Sequence, residues 1–392
     1  MSLKFIEDET LREEIVAVME NNGLEPDEKG ILELKELEVP YKEIASLKGI
    51  ERFSNLKKLV LNNNSIENLD PVSKLFELEE LILDENKISD ISCIKNLKEL
   101  KVLHIGRNRI SDISVISSLE KLKDFSAYEN YISDISVLER NPEMEMLELS
   151  ENKISDIKVL EKLKKLKYIG LARNSVLEIK STSNLTELHG LSIYENQIEE
   201  IGALKGMKKL RYLDLSNNHV KNIDAVKEMA DMEELYMADN EIEDIASLKE
   251  LRKIKKLKLS NNKISNIDSL KGMQEMIELD ISNNNIEKLE PISCMKKLKK
   301  LVIECNNFEK IEALRNMAEL ETLEASHNKI TDIEVLGELK TLEDIDLSHN
   351  EFTELKALCR LENINYLKIP VSCVGDEKSL KEITGMEYIS IE

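Results

Sequence analysis

An asparagine recurs every 22 residues through most of this chain. It occurs fourteen times without an insertion or deletion, at Asn64, Asn86, Asn108, Asn130, Asn152, Asn174, Asn196, Asn218, Asn240, Asn262, Asn284, Asn306, Asn328 and Asn350. One unit of this size cannot bury its own apolar side chains, so such units stack and share a continuous core. A length of 392 residues would otherwise suggest two or three globular domains. The repeat predicts one elongated domain instead.

Apolar residues accompany each asparagine at seven fixed positions, which in the first unit are Leu56, Leu59, Leu61, Ile66, Leu69, Val72 and Leu75. In the fourteen units, the exceptions to this pattern are Asn141 and Thr182. Leu59 and Leu61 alternate with polar or exposed positions, which is typical of a short strand with one buried side. The asparagine is expected to turn inward, where its amide must pair with backbone groups. The rest of each unit is too short for a full helix, which favours 3₁₀ turns or extended segments.

The same spacing continues beyond the asparagines. Leu34, Leu37 and Val39 lie one period before the first unit, and Met386, Ile389 and Ile391 keep the register at the other end. The pattern LxxLxxLxLxxNxIxxIxxLxxL resembles the leucine-rich repeat in its 22-residue form over residues 34–392, with about seventeen coils, fourteen of them complete. The resemblance implies an α/β fold, a right-handed solenoid shaped as a horseshoe or arc. Its strands would form a parallel concave sheet, with short turns or extended segments on the convex side.

Residues 1–33 are predicted to form a helical cap that covers the N-terminal end of the core. Thr10 to Glu13 fits a capping box, and Leu11, Ile15, Val18 and Met19 form one apolar helical stripe. The run from Phe5 to Leu11 resembles the helical cap of bacterial internalin-like proteins, in which an F-x-D-x-x-L segment precedes 22-residue repeats. Phe5 and Leu11 match that segment, while the acidic residue, Asp8, lies one place later.

The other end of the sequence reads as a strand over residues 388–392. A strand with an uncovered edge pairs readily with other chains. We therefore expect either that the chain has been shortened at Glu392 or that this strand mediates edge-to-edge self-association.

Tyrosines cluster at the positions that the repeat leaves free on the predicted concave face. Five of the nine tyrosines lie there, all within coils four to nine. Tyrosine offers a large rigid contact area with a polar tip, and it is enriched where proteins bind one another. Glycines at positions 170 and 190 lie between the rings, which suggests a shallow pocket with a backbone floor. The predicted partner-binding residues are Tyr128, Met146, Tyr168, Gly170, Gly190, Tyr194, Tyr212, Asp214, Glu234 and Tyr236. The alternative is that the tyrosines merely cover exposed sheet.

The predicted concave face is also strongly acidic. Seventeen acidic and six basic residues occupy its free positions, in a chain whose net charge is −22. A surface of one sign attracts partners of the opposite sign, so the expected partner is a protein of basic or mixed charge. Nucleic acid is excluded as a partner because this chain would not neutralise its phosphates. General solubility is the alternative explanation of the charge.

No catalytic motif, catalytic residue or cofactor site is evident, so the chain is not predicted to be an enzyme. His327 and His349 are equivalent residues of adjacent coils near acidic side chains; they could bind a divalent metal, but two solvated side chains are favoured. No apolar run is long enough to insert into a membrane. The five cysteines show no paired spacing, which favours free thiols over a disulfide framework.

The sequence therefore predicts a non-enzymatic module that binds a protein through the concave face. The internalin resemblance implies bacterial adhesion or interaction with host proteins. The repeat is also similar to that of the eukaryotic regulatory subunit of type-1 protein phosphatase, so an intracellular scaffold or regulatory subunit is the alternative, and a purely structural array is a third. As the sequence stands, without an export signal, a cytoplasmic location is expected. Trimming of an export signal and an anchor would instead place the protein at the cell surface or outside the cell.

Overall fold

The computed structural model describes residues 3–383 and 388–392, and Met386 therefore lies outside the described residues. Contacts between residues divide the chain into two compact units, Met1–Gln197 and Ile198–Glu392. Each unit is a stack of 22-residue coils, with a short strand on one side of every coil and a 3₁₀ turn on the other. The predicted solenoid of parallel strands is confirmed within each unit.

The first unit contains two helices followed by eight strands. The helices are α1 (Glu9–Asn21) and α2 (Glu28–Glu33). The strands are β1 (Glu36–Glu38), β2 (Lys58–Val60), β3 (Glu80–Ile82), β4 (Val102–His104), β5 (Asp124–Ser126), β6 (Met146–Glu148), β7 (Tyr168–Gly170) and β8 (Gly190–Ser192). Successive strands pair in parallel, each residue opposite the one 22 positions further on, as Met146 is opposite Tyr168. The repeat in the sequence therefore sets the register of the sheet.

Helix α1 packs Leu11, Ile15 and Met19 against the core, in agreement with the predicted cap. The capping box predicted at Thr10 is wrong, because the N-cap residue is Asp8. One oxygen of Asp8 accepts the backbone N–H of Leu11 at 3.0 Å. The other oxygen accepts the backbone N–H of Ala45 at 3.0 Å. The helix start is thus fixed by a contact with the first coils, which no local pattern reveals.

The second unit contains nine strands and helix α3 (Glu377–Glu382) among its described residues. The strands are β9 (Tyr212–Asp214), β10 (Glu234–Tyr236), β11 (Lys256–Lys258), β12 (Glu278–Asp280), β13 (Lys300–Val302), β14 (Thr322–Glu324), β15 (Asp344–Asp346), β16 (Tyr366–Ile369) and β17 (Tyr388–Ile391). Ile389 and Ile391 are each 41% exposed, whereas the equivalent Ile345 and Leu347 are fully buried. The pairing of β17 with another chain stays a prediction.

The helical segments opposite the strands are short, as expected. Most are 3₁₀ turns of three or five residues, such as Gly202–Leu204 and Asp70–Lys74. Among residues 3–383 and 388–392, no helix is both long enough and apolar enough to cross a membrane.

The repeated asparagines bind the backbone of neighbouring coils. In Asn86, the side-chain nitrogen donates to the carbonyls of Leu61 and Leu83, both at 3.0 Å. Its side-chain oxygen accepts the N–H of Ile66 at 3.0 Å. The amide is 9% exposed, so these backbone groups are satisfied away from water. The predicted structural role of the asparagines is confirmed.

The residue immediately before each asparagine has a left-handed backbone, although none of them is glycine. The φ angles of Asn63, Glu85 and Arg107, for example, are 56°, 57° and 50°. A side chain in this conformation costs of the order of 1 kcal/mol. The turn places these side chains in a row beside the ends of the strands. The sequence did not predict this conformation, because the residues that adopt it share no side-chain type.

Candidate protein-binding surface

The first and third residues of each strand point away from the core, and so do the residue two positions after the third and the left-handed residue that follows it. We call the surface that these four positions form in each unit the strand face. In β6, Leu147 is 1% exposed, whereas Met146 is exposed and Glu148 half-buried on either side of it. This alternation follows from the two-residue period of a strand. All ten predicted partner-binding residues lie on the strand face, six in the first unit and four in the second.

Met146 and Tyr168 form an exposed apolar pair in the first unit. They are opposite each other on the paired strands β6 and β7. Their side chains are 44% and 49% exposed, and among the described strands of this unit no other large apolar side chain is exposed. Exposed aromatic and methionine side chains that lie together are typical of binding surfaces.

Neighbouring side chains cover the two glycines that were expected to floor a pocket. A Cβ atom added to Gly190 would lie 2.7 Å from the ring of Tyr168. A Cβ atom added to Gly170 would collide with the carboxylate of Glu148. The pocket predicted over these glycines is therefore filled. Their role is to let the Tyr168 ring and the Glu148 carboxylate lie close to the sheet.

The imidazole of His189, which was not among the predicted site residues, lies against Tyr168. The ring centres are 6.2 Å apart, and the ring planes are inclined by 28°. The Nδ1 atom of His189 is buried without a hydrogen-bond partner among the described residues. This histidine supports one side of the tyrosine ring. Its position directly before β8, whose register places Gly190 opposite Tyr168, is the signal that could have identified it.

Tyr128 lies in a charged cluster formed by three adjacent coils. The guanidinium of Arg107 lies 5.9 Å from the centre of the Tyr128 ring. The same guanidinium donates to Glu129 at 2.7 Å and to Glu85 at 3.3 Å. The carboxylates and the ring thus hold one cation between them, and the cation is supplied by the chain itself.

The same arrangement recurs three coils later around Tyr194. Arg173 lies 5.5 Å from the centre of the Tyr194 ring. It donates to Glu151 and Glu195, at 3.0 Å each. Arg107 and Arg173 both occupy the left-handed position before the asparagine. The unusual backbone therefore directs each guanidinium toward a strand-face tyrosine.

His104 and Asp124 form an ion pair on the strand face of β4 and β5. The Nε2 atom of His104 lies 3.1 Å from a carboxylate oxygen of Asp124. This hydrogen bond raises the pKa of His104, although burial lowers it in part. Asp84, nearby, accepts the N–H of Gly106 at 2.6 Å. Burial raises the pKa of Asp84.

In the second unit, Tyr212 and Tyr236 pack edge to face with their ring centres 5.8 Å apart. The hydroxyl of Tyr236 donates to Glu234 at 2.8 Å. Burial, followed by this hydrogen bond, raises the pKa of Tyr236. The ammonium of Lys258 lies 5.6 Å from the Tyr236 ring. A cation from the chain therefore again lies against a strand-face tyrosine.

Asp214 lies on the same strand as Tyr212 and is half-buried. Its carboxylate accepts the backbone N–H of Ser216 at 3.0 Å. Burial raises the pKa of Asp214, and the hydrogen bonds from Ser216 oppose this effect. The structure thus places Tyr212, Asp214, Glu234 and Tyr236 together on the paired strands β9 and β10, and their binding of a partner stays a prediction.

Most basic residues of the strand face form ion pairs within the chain. Lys58 lies 2.6 Å from Glu38, and Lys300 lies 2.7 Å from Glu324. Arg107 and Arg173 each contact two carboxylates. Attraction of a basic partner by an excess of carboxylates on the strand face stays a prediction.

His327 and His349 stack with their ring centres 4.0 Å apart and their planes inclined by 20°. Within the described ranges, no group of three or more histidine, cysteine, aspartate or glutamate side chains is placed to hold a metal ion. The five cysteines are free thiols.

Comparison with known proteins places this architecture among the leucine-rich repeats. A family model described as "Leucine-rich repeat region" matches residues 124–351, and a model of two leucine-rich repeats matches residues 76–118. A search of curated proteins gave no match.

Several solved structures are similar. An internalin, InlF, from Listeria monocytogenes is 28% identical with a TM-score of 0.78, over 82% of this chain and 96% of that one. A leucine-rich repeat protein from Leptospira interrogans is 22% identical with a TM-score of 0.78, over 89% and 97%. The functional domain of InlJ from Listeria monocytogenes is 19% identical with a TM-score of 0.79, over 94% and 82%. Because the repeat-region model alone spans more than half of the sequence, the chain belongs to the leucine-rich repeat family, and its fold is internalin-like.

Proposed function

We propose that this protein is a non-enzymatic module that binds another protein through the strand face, and that the partner is basic or mixed in charge. The observation that carries this proposal is the pairing of Met146 with Tyr168. Apolar side chains of this size are exposed at adjacent positions of a sheet whose other described strand positions in this unit expose no large apolar side chain. Burying such a pair contributes favourably to association, since aromatic anchors dominate the energetics of interfaces.

The charge of the strand face supports a basic or mixed partner. Most of the resident bases, such as Lys58 and Lys300, are already paired with carboxylates, so an acidic partner would meet negative charge that they do not compensate. Opposite charge raises the rate of encounter and disfavours wrong partners.

Adhesion to, or interaction with, a host protein is the role we favour, on the basis of the internalin-like fold. The alternative role is an intracellular scaffold or regulatory subunit, which the five free cysteines favour. Capture of partners from two sources distinguishes the two roles. A partner among the surface proteins of animal cells supports adhesion, whereas a partner from a bacterial cytosolic extract supports the scaffold or regulatory subunit.

The test is quantitative capture with the whole protein and a double variant, Met146→Ser with Tyr168→Ser. We expect recovery of the partner to fall about tenfold or more, the usual effect of removing a hot-spot residue. The matched control is Phe76→Ser with Leu177→Ser, which removes two side chains of similar exposure, 49% and 58%, outside the strands. Equal loss in both variants, or no loss in the first, would sink the proposal.

A further inference from the structure

We propose that the exposed ring of Tyr168 is a receptor for a basic side chain of the partner, an arginine in particular, with Glu148 as its counter-charge. This inference rests on the proposed function, since it names the partner chemistry that the strand face recognises. It is carried by the arrangement of Met146, Glu148, Tyr168 and Gly170 on the paired strands β6 and β7.

Four other strand-face tyrosines show how such a site works, because each of these four contacts a cation of the chain itself. Arg107 lies 5.9 Å from the ring centre of Tyr128, and Arg173 lies 5.5 Å from that of Tyr194. In the second unit, Lys258 lies 5.6 Å from the Tyr236 ring, and Lys368 lies 5.9 Å from the Tyr366 ring. A tyrosine ring with a carboxylate nearby is therefore a recurrent cation site on this face.

Tyr168 differs from those four residues. Among residues 3–383 and 388–392, no lysine or arginine lies over its ring, and it is about half exposed. The ammonium of the preceding residue, Lys167, is held by Glu145 at 2.5 Å. His189 supports one side of the ring. The remaining exposed surface of the ring is thus available to a cation from outside the chain.

Glu148 supplies the negative charge that such a cation requires. Its carboxylate lies over Gly170, and one oxygen accepts the N–H of Ser150 at 2.8 Å. In the part of the chain that the structure describes, no lysine or arginine forms an ion pair with Glu148. This half-buried carboxylate is therefore uncompensated, and a partner that buried it without a cation would bear its desolvation cost.

The spacing of these residues suits a long basic side chain. Adjacent strands are about 4.8 Å apart, and the first and third residues of a strand are about 6.7 Å apart. The aliphatic stem of an arginine can lie on Met146 while its guanidinium reaches both the Tyr168 ring and Glu148. A guanidinium is favoured over an ammonium because its planar group stacks on a ring and pairs with a carboxylate at the same time.

The test is an NMR titration of the whole protein with N-acetylarginine methylamide, and with the neutral citrulline analogue as the control ligand. We expect saturable shifts of the Met146 methyl and Tyr168 ring signals with arginine, and none with citrulline. Tyr168→Leu and Glu148→Gln should each weaken arginine binding about fivefold, given the strength of cation–π and charge-assisted contacts. For Tyr168→Leu, the Met146 methyl signal reports the binding.

Two further variants keep the test specific. Tyr168→Phe should bind arginine within about twofold of the wild type, because phenylalanine retains the ring face. Tyr131→Leu removes an exposed ring that already contacts Lys153 and is not a predicted partner-binding residue, so it should leave the shifts at Met146 unchanged. Equal binding of citrulline, or unchanged binding by Tyr168→Leu, would overturn the inference.

Partner capture and binding of the arginine probe, taken together, distinguish a failure of the inference from a failure of the proposed function. If partner capture depends on Met146 and Tyr168 but the arginine probe does not bind, the binding function stands and the arginine receptor is refuted. If the probe binds at Tyr168 but partner capture is indifferent to both residues, the ring is a cation site, but the proposed function is refuted, and with it the partner's arginine as the ligand of that site.

Discussion

One carboxylate oxygen of Asp8 accepts the backbone N–H of Ala45 at 3.0 Å, 37 residues further along the chain. The other oxygen accepts the N–H of Leu11 and so begins helix α1. One side chain therefore both caps the helix and ties it to the first coils. Burial raises the pKa of Asp8, but the hydrogen bonds from Leu11, Ala45 and Ser46 outweigh burial and lower it overall.

The lowered pKa of Asp8 predicts how the cap responds to acid. A carboxyl group with a lower pKa in the folded state stabilises that state at pH values above its ordinary pKa of about 3.9. That stabilisation is lost as the pH falls from there through the lower folded value. Asp8→Asn should therefore show a weaker loss of stability in this acid range. The measurement is urea unfolding between pH 2 and pH 5, and an unchanged pH dependence would contradict the account.

Loss of one repeated asparagine should destabilise the stack. Asn130 is 6% exposed, and its side chain binds the backbone of Ile110 at 2.9 Å and Ile105 at 3.0 Å. Asn130→Ala leaves these buried groups unpaired, which should lower the free energy of unfolding by about 2–4 kcal/mol. The control is the exposed Asn184→Ala, expected to change stability by less than about 0.5 kcal/mol. Similar urea midpoints for the two variants would refute a special role for the repeated asparagine.

Asn141 is a polar side chain in a position that is apolar in most coils, and replacing it should stabilise the protein. It is fully buried, and its Oδ1 atom has no hydrogen-bond partner among the described residues. Its nitrogen donates to the carbonyl of Leu119 at 2.8 Å, but that carbonyl also accepts the N–H of Leu122.

Asn141→Leu thus removes an unpaired buried oxygen, leaves that carbonyl paired, and buries an apolar group. We expect the thermal unfolding temperature to rise, with a gain of about 1–2 kcal/mol. A lower unfolding temperature would mean that the hydrogen bonds of the Asn141 amide stabilise the fold by more than its unpaired oxygen destabilises it.

The ion pair between His104 and Asp124 should stabilise the protein at lower pH and lose this effect as the pH rises, which is the opposite of the dependence expected for Asp8. Because the hydrogen bond that His104 donates to Asp124 raises the pKa of His104, the stabilisation is fully present below the ordinary histidine value of about 6.5. It is lost as the pH rises through the higher folded value. NMR titration of the imidazole should place the pKa of His104 above 6.5, and Asp124→Asn should lower it. A titration unaffected by Asp124→Asn would contradict this.

The sequence predicted the repeated part of the fold well because each coil imposes the same pattern on the next. The inward asparagines and the buried leucines around Leu59 follow from that constraint. Non-repeated features depend on contacts between coils. In the structure Asp8, and not Thr10, is the N-cap residue of helix α1, because its carboxylate also accepts the N–H of Ala45.

The binding surface was predicted less completely, because it too depends on contacts between side chains of different coils. The tyrosines could be placed on one face from their positions, but not the side chains that surround them. Glu148 lies over Gly170, and Tyr168 lies over Gly190, so the expected pocket is filled. The guanidinium of Arg173 reaches Tyr194 because the backbone of Arg173 is left-handed. The residues that share this conformation differ in type, so the sequence does not reveal it.

The most direct test of binding through the strand face is site-specific photo-crosslinking to the captured partner. A benzophenone amino acid is placed at Tyr168 in one variant and, in the other, at Leu177, which is also exposed but lies outside the strands. We predict a covalent product with the partner from position 168 and none from position 177. A product from position 177 alone, or equal products from both positions, would contradict recognition through the strand face.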